Sequence, residues 1–237
     1  MKKHSIALLL LLVLLTGCGA KTEEAPWQTA YRETGKYLQE QDAISAGSVG
    51  GEWAVIGLSR AGLLSDETAQ SYEQTVEDYV KQAGSVRLHH AKSTENSRAI
   101  LGLTAAGYNA ANMAGVDLTA GLTDMAYLRA QGTNGPIWAL IALDCHGYDI
   151  PQCADGEEQT TCEGLVAEIL SYQCSDGGWA LMGDESDVDM TAMALTSLAP
   201  YQEETDIKAA VDAPLTYLSD AQQADGGFMS WGAANSE

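Results

Sequence analysis

Apolar positions between residues 30 and 237 fall into two alternating kinds of helical segment. The first kind carries a Tyr-Leu-like pair near its end: Tyr37-Leu38, Tyr79-Val80, Tyr127-Leu128, Ile169-Leu170 and Tyr217-Leu218, spaced by 42, 48, 42 and 48 residues. Two of these segments, Tyr72–Gln82 and Asp206–Asp220, keep one polar side, which predicts amphipathic helices of an outer layer. The second kind is apolar nearly all round and lies between the first: Trp53–Gly62, Ala99–Gly107, Trp138–Gly147 and Met190–Ala199. These predict an inner layer, and the closing Gly62, Gly107 and Gly147 suit the left-handed position just past a helix end. Gly57, Gly102, Ala142 and Ala194 each precede a leucine, small side chains that predict close approach between inner helices. No stretch alternates with period two, so no sheet is predicted. The pattern specifies an all-α fold of helical hairpins, each unit of about 40–50 residues burying the apolar face of the next.

One connection between the layers occurs twice. Gln173, Asp176, Gly177, Gly178 and Trp179 reappear as Gln222, Asp225, Gly226, Gly227 and Phe228 at an offset of 49 residues. The physical roles are legible in the residue types. Glycines permit a tight turn, Asp bonds nearby backbone amides, and the ring wedges between helices. Gln131–Gly135 (QGTNG) reads as a degenerate copy.

The N-terminus departs from the pattern. A basic start at Met1–Lys3 leads into an apolar run at Ile6–Leu15, too short to span a bilayer permanently, and then into Leu15-Thr16-Gly17-Cys18. That ending resembles the lipobox of bacterial lipoproteins, and the resemblance implies cleavage after residue 17 and lipidation of Cys18. Residues 18–29 then form a lipidated tether ahead of a folded unit at 30–237. Losing Lys2 and Lys3 takes the net charge from −21 to −23, which sets the chain against phosphate backbones and makes nucleic acid an improbable partner. A membrane would be reached through the acyl group.

Export also places the remaining cysteines where disulfides persist. Cys145, Cys153, Cys162 and Cys174 allow three pairings, and spacing does not choose among them. The favoured set is Cys153–Cys162 around the loop CADGEEQTTC, with Cys145–Cys174 joining the flanking helices. A four-thiolate zinc site is the alternative, against which stands the lack of any C-x-x-C spacing.

The Q-x-x-D-G-G-aromatic turns at Gln173–Trp179 and Gln222–Phe228 resemble the repeats of the prenyltransferase and squalene-cyclase superfamily. Resemblance extends over roughly residues 30–237 and implies a double-layered α/α toroid. Five outer and four inner helices are present, and a fifth inner helix should begin where the chain stops. This reading favours an incomplete ring, continued beyond Glu237.

Candidate chemistry concentrates at Asp187-Val188-Asp189-Met190-Thr191-Ala192, similar to the D-x-D-D-T-A motif of class II terpene cyclases with Met190 in place of the last aspartate. The resemblance implies that Asp189 protonates an alkene or epoxide, with Asp187 supplying part of its environment. Such an acid must be held protonated by burial, beside an aromatic cavity that stabilises cations. A single Phe and 7% aromatic residues are thin for that purpose. Both aspartates also suit a helix start, as N-cap and first-turn acid. Val188, Asp189, Ala192, Met193 and Ala194 resemble a helix start in transcobalamin-type corrinoid carriers, which implies a bound corrinoid. The superfamily's zinc branch uses Asp, Cys and His, but no D-x-C occurs. His89 and His90 read as solvated loop residues, and His146 as a helix C-terminal cation. Asp184, Glu185, Asp187 and Asp189 offer a loose calcium set without EF-hand spacing, so no metal or cofactor is expected beyond that.

The expectation is an exported, lipid-anchored α/α-toroid surface protein that binds an apolar small molecule or a protein partner without catalysis. A class II terpene-cyclase-like enzyme is the first alternative, and a corrinoid carrier the second.

Overall fold

The computed structural model describes residues 25–40, 44–47, 50–230 and 233–235. Lipidation at Cys18 and the leader before it lie outside these residues. Nine α-helices occur among the described residues: α1 Pro26–Gln39, α2 Gly51–Arg60, α3 Asp66–Ala83, α4 Thr94–Ala105, α5 Met125–Arg129, α6 Asn134–Asp144, α7 Cys162–Ser171, α8 Val188–Leu198 and α9 Thr205–Ala221. The all-α expectation holds. No helix among the described residues is long and apolar enough to cross a membrane.

The four apolar segments become α2, α4, α6 and α8, and they pack in series: α2 on α4, α4 on α6, α6 on α8. Outer helices lie against this row, α1 on α2, α7 on α6 and α9 on α8. Leu58, Leu103, Leu143 and Leu198 from the row are buried, together with Tyr72 and Val76 of α3. Gly62, Gly107 and Gly147 take φ of 66°, 87° and 64°. In each case the next residue's N–H returns to a carbonyl five residues back, from Leu63, Tyr108 and Tyr148 to Leu58, Leu103 and Leu143. These bonds satisfy carbonyls that a helix end otherwise leaves open.

Two of the small residues of the row, Gly102 and Gly57, do other than admit a neighbouring inner helix. A Cβ on Gly102 would sit 2.2 Å from the hydroxyl of Tyr72, so the missing side chain admits a ring from the outer helix α3. A Cβ on Gly57 would meet nothing within 4 Å.

Two further departures have local causes. The third outer helix, α5, keeps only five residues and follows two 3-10 turns, Ala110–Asn112 and Leu118–Leu122. Asn109, Asp117 and Asp124 each accept from the amide two residues on, at 3.0, 2.9 and 3.1 Å, offering the backbone a turn in place of a continuous helix. A small antiparallel sheet also exists where none is predicted: β1 (Phe228–Ser230) pairs with β2 (Ala233–Asn235) just after the second D-G-G turn, and β1 packs on α8.

The acidic loop between α6 and α7 is held by arginines from elsewhere. Arg87 donates to Asp124 at 3.0 Å and Glu157 at 2.6 Å while lying 4.4 Å from the Tyr127 ring centroid. Arg129 bonds Glu158, and forks onto both oxygens of Glu168 at 2.9 Å. All four described cysteines are free thiols. Cys153 Sγ faces Glu157 O at 3.7 Å, and Cys174 Sγ is 4.0 Å from Tyr172 O. Cys145 Sγ donates to Ala142 O at 3.1 Å, and Cys162 lies beside Tyr201.

Candidate functional site

The D-G-G turns are built alike. Gln173 Nε2 donates to Gly177 O at 2.7 Å, and Gln222 Nε2 to Gly226 O at 3.0 Å. Asp176 and Asp225 accept the amides of Gly178 and Gly227 at 3.3 and 3.0 Å. Gly177 and Gly226 have φ of 95° and 90°, which side chains resist. Gly178 is required for space, since a Cβ there would come 2.6–2.7 Å from Ser186 Oγ and Thr191 Oγ1. Trp179 is buried and donates from its indole to Ile169 O at 2.7 Å, locking the turn onto α7.

The loop after the first turn, 180–187, is stitched back onto it. Ser175 donates its amide and hydroxyl to Asp184 at 2.8 and 2.9 Å. In the opposite sense, Ser186 donates its amide and hydroxyl to Asp176. The Ser186 hydroxyl is the main reason the Asp176 carboxyl sits below the usual carboxylate range. Tyr217 of α9 donates to Ser186 O at 2.8 Å. A depression of about 650 Å³ lies over this loop. Its described lining comes from residues 180–187 alone.

Asp187 sits at the N-cap of α8, where its Oδ1 accepts the Met190 amide at 2.8 Å. Asp189 is two residues on, in the first turn of the helix and exposed. Met190 and Thr191 are buried, the latter accepting the Trp179 amide at 3.0 Å. The hexapeptide thus joins the turn to the inner row. Asp187 and Thr191 accept backbone amides, and Met190 packs into the interior. Among the described residues no three His, Cys, Asp or Glu side chains converge on a metal-sized site. His89 and His90 stack on each other at 4.4 Å, and His146 is exposed.

A second location was missed by the sequence reading. Trp53 of α2 and Trp138 of α6 meet with ring centroids 5.2 Å apart and planes tilted by 55°. Trp53 is exposed and Trp138 half-buried, so the pair is open to solvent. Both indoles head the same helical pattern: Trp53, Ile56 and Arg60 on α2, and Trp138 and Ile141 on α6 with Cys145 at its C-cap, at i, i+3 and i+7. Towards the helix C-termini this face opens into a cavity of about 440 Å³, lined by Ile56, Ser59, Arg60, Leu101, Thr104 and Cys145. Desolvation of the Cys145 sulfur pushes the thiol above its ordinary pKa. The signal in the sequence was the recurrence of Trp-Ala at the start of two inner helices, 85 residues apart.

Beside Trp53, Glu52 is buried at 1% exposure. Its Oε1 accepts the Gly47 amide at 2.7 Å and its Oε2 faces Arg98 at 3.8 Å. Arg98 in turn bonds Glu95 at 2.7 Å. This ion cluster joins the starts of α2 and α4. No protein-family model, curated protein or solved structure matches the chain.

Proposed function

We propose that this chain is an exported protein, lipid-anchored through Cys18, whose helical hairpins curve into an α/α toroid and hold a ligand or partner on the inner face marked by Trp53 and Trp138. It catalyses nothing. The observation that carries this reading is the indole contact. Helices α2 and α6 both pack on α4, which lies between them. At the usual spacing of about 8–10 Å per helix, second neighbours in a flat row stand roughly 16–20 Å apart. Two indoles meeting across α4 support a row bent toward the face they occupy. That face offers what small-molecule sites need, aromatic and aliphatic walls with a few polar groups. Arg60, Ser59 and Thr104 are those groups here.

The placement of the acidic motif supports binding over protonation chemistry. An acid that protonates an alkene needs burial to stay neutral. Asp189 is exposed, and the Asp187 carboxylate caps a helix. The test has two arms. Protein purified from its own membranes is extracted and its small molecules identified by mass spectrometry, for wild type and for Trp53→Ala/Trp138→Ala. A species lost from the double variant supports the reading. The same protein is incubated with squalene and with geranylgeranyl diphosphate, and a product that disappears on Asp189→Asn overturns it.

A further inference from the structure

Helix α1 carries a stripe whose N-terminal part, Trp27 and Tyr31, the rest of the described chain leaves open, while Leu38 at its far end is half-buried. Trp27, Tyr31, Thr34 and Leu38 recur at i, i+4, i+7 and i+11, one side of a helix. Trp27 is 67% exposed and Tyr31 52%. Tyr37, on the adjoining flank, is 61% exposed. Three of the nine exposed large apolar side chains among the described residues therefore sit on this one helix. The helix is seated by a different side. Leu63 occupies the place of a Cβ on Gly35, and Gln39 donates to Leu63 O at 2.6 Å. Trp27 and Tyr31 are left uncovered by that seating.

We infer that the Trp27–Tyr31 face of α1 lies on the lipid bilayer surface and sets the orientation of the body above it. The inference rests on the anchoring role proposed for Cys18. Three observations select a bilayer as the occupant. First, eight residue steps separate Cys18 from Pro26. Whatever their path, they reach no further than about 29 Å, which confines α1 to the layer of protein next to the membrane. Second, the exposed residues are Trp and Tyr, amphipathic rings that settle at headgroup depth, on a helix whose other sides are polar. Third, α1 bears Arg32 and Lys36 against Glu33, one net positive charge in a chain of −21. The helix itself adds no net negative charge at the headgroups, and further acidic residues, Glu23, Glu24 and Glu40, lie at its ends.

Brominated-lipid quenching tests this on the full chain as processed in the cell. The protein is reconstituted into phosphatidylethanolamine–phosphatidylglycerol vesicles with bromine placed near the headgroup end of the acyl chains. Wild-type tryptophan emission should be quenched, Trp27→Phe should remove at least half of that quenching, and Trp53→Phe should retain it. Equal quenching in wild type and Trp27→Phe overturns the inference. So does an unquenched Trp27 in a dimer that Trp27→Ala/Tyr31→Ala turns into monomer, which would give the face to a second copy. Labelling with an alkyne fatty acid, with Cys18→Ser as control, decides the anchor separately. A labelled protein with no Trp27 quenching sinks the α1 inference alone. An unlabelled protein whose Trp27 is still quenched by added vesicles sinks the anchor alone.

Discussion

Gln173 and Ala210 are joined by a 2.9 Å hydrogen bond from the glutamine amide to the carbonyl of α9, while the same nitrogen closes its own turn on Gly177 O. The motif's glutamine therefore ties one hairpin unit to the next outer helix. Gln131, in the degenerate copy, ties backwards, accepting from the Thr94 amide and the Ser93 hydroxyl at 2.9 Å. Gln222 closes its turn from an exposed position. Gln173→Ala should cost about 1–2 kcal/mol, since it leaves a half-buried carbonyl unpaired. Gln222→Ala should stay within about 0.5 kcal/mol of wild type. Urea unfolding of the two variants side by side reads the difference, and equal midpoints would deny the glutamine its tying role.

The Tyr72–Gly102 contact gives opposite expectations for two glycines with the same sequence context. Gly102→Ala drives a methyl into the Tyr72 hydroxyl and ring, and overpacking of this kind costs about 1–3 kcal/mol. Gly57→Ala meets open space, and the helix gains about 0.5–1 kcal/mol from the lost backbone freedom of glycine. Tyr72→Phe removes the nearest atom, a buried hydroxyl with no hydrogen-bond partner among the described residues. It should therefore recover part of the loss in the Gly102→Ala background while changing little alone. Thermal melts of the four proteins check the set.

Why these details escaped the sequence follows from where their partners lie. The inner helices, their terminal glycines and the D-G-G turns were legible because each depends on residues within one or two turns of chain. Asp187 as an N-cap was legible for the same reason. The ring that fills the gap at Gly102 comes from 30 residues away, and the indole facing Trp53 from 85. Spacing alone carries no trace of either. The shortened α5 turned on three Asx side chains competing with the helix, a local signal that a search for apolar periodicity passes over. The loop at 153–162 shows a further limit. Its two cysteines can be read by spacing, whereas the ion pairs of Arg87 and Arg129 with Glu157 and Glu158 come from elements remote in sequence.

Acid should loosen the outer layer at α7. The fork from Arg129 holds the Glu168 carboxyl below its ordinary value of 4.5, against a smaller opposing effect of burial. Its folded pKa is depressed, so its contribution to stability is complete above the ordinary value and disappears as pH falls through the depressed one. Arg129 is 37% exposed, so solvent and salt weaken the pair. Glu168→Gln should flatten the stability–pH curve below pH 4.5 relative to wild type and leave its shape from pH 6 to 8 unchanged. Chemical denaturation across that range measures both, and a curve that parallels wild type below pH 4.5 would remove the pair from the account of acid stability.

Asp187 and Asp189 separate a capping role from an acid–base one by stability alone. Asp187 Oδ1 accepts the Met190 amide, one of the donors that a helix start leaves without an internal partner. Asp187→Ala should destabilise by about 1 kcal/mol, and Asp187→Ser, which restores an acceptor, should recover most of it. Asp189 is a first-turn carboxylate whose attraction for the helix N-terminus is worth about 0.3–0.5 kcal/mol, a contribution that Asp189→Asn should lose and that falls as salt rises. An acid kept protonated in a closed pocket would behave in the opposite way, its replacement by Asn stabilising the fold at neutral pH by removing the cost of holding a carboxyl protonated there. If Asp189→Asn raises the melting temperature while Asp187→Ala leaves it unchanged, the helix-start reading of this hexapeptide fails, and with it the case for a site without chemistry.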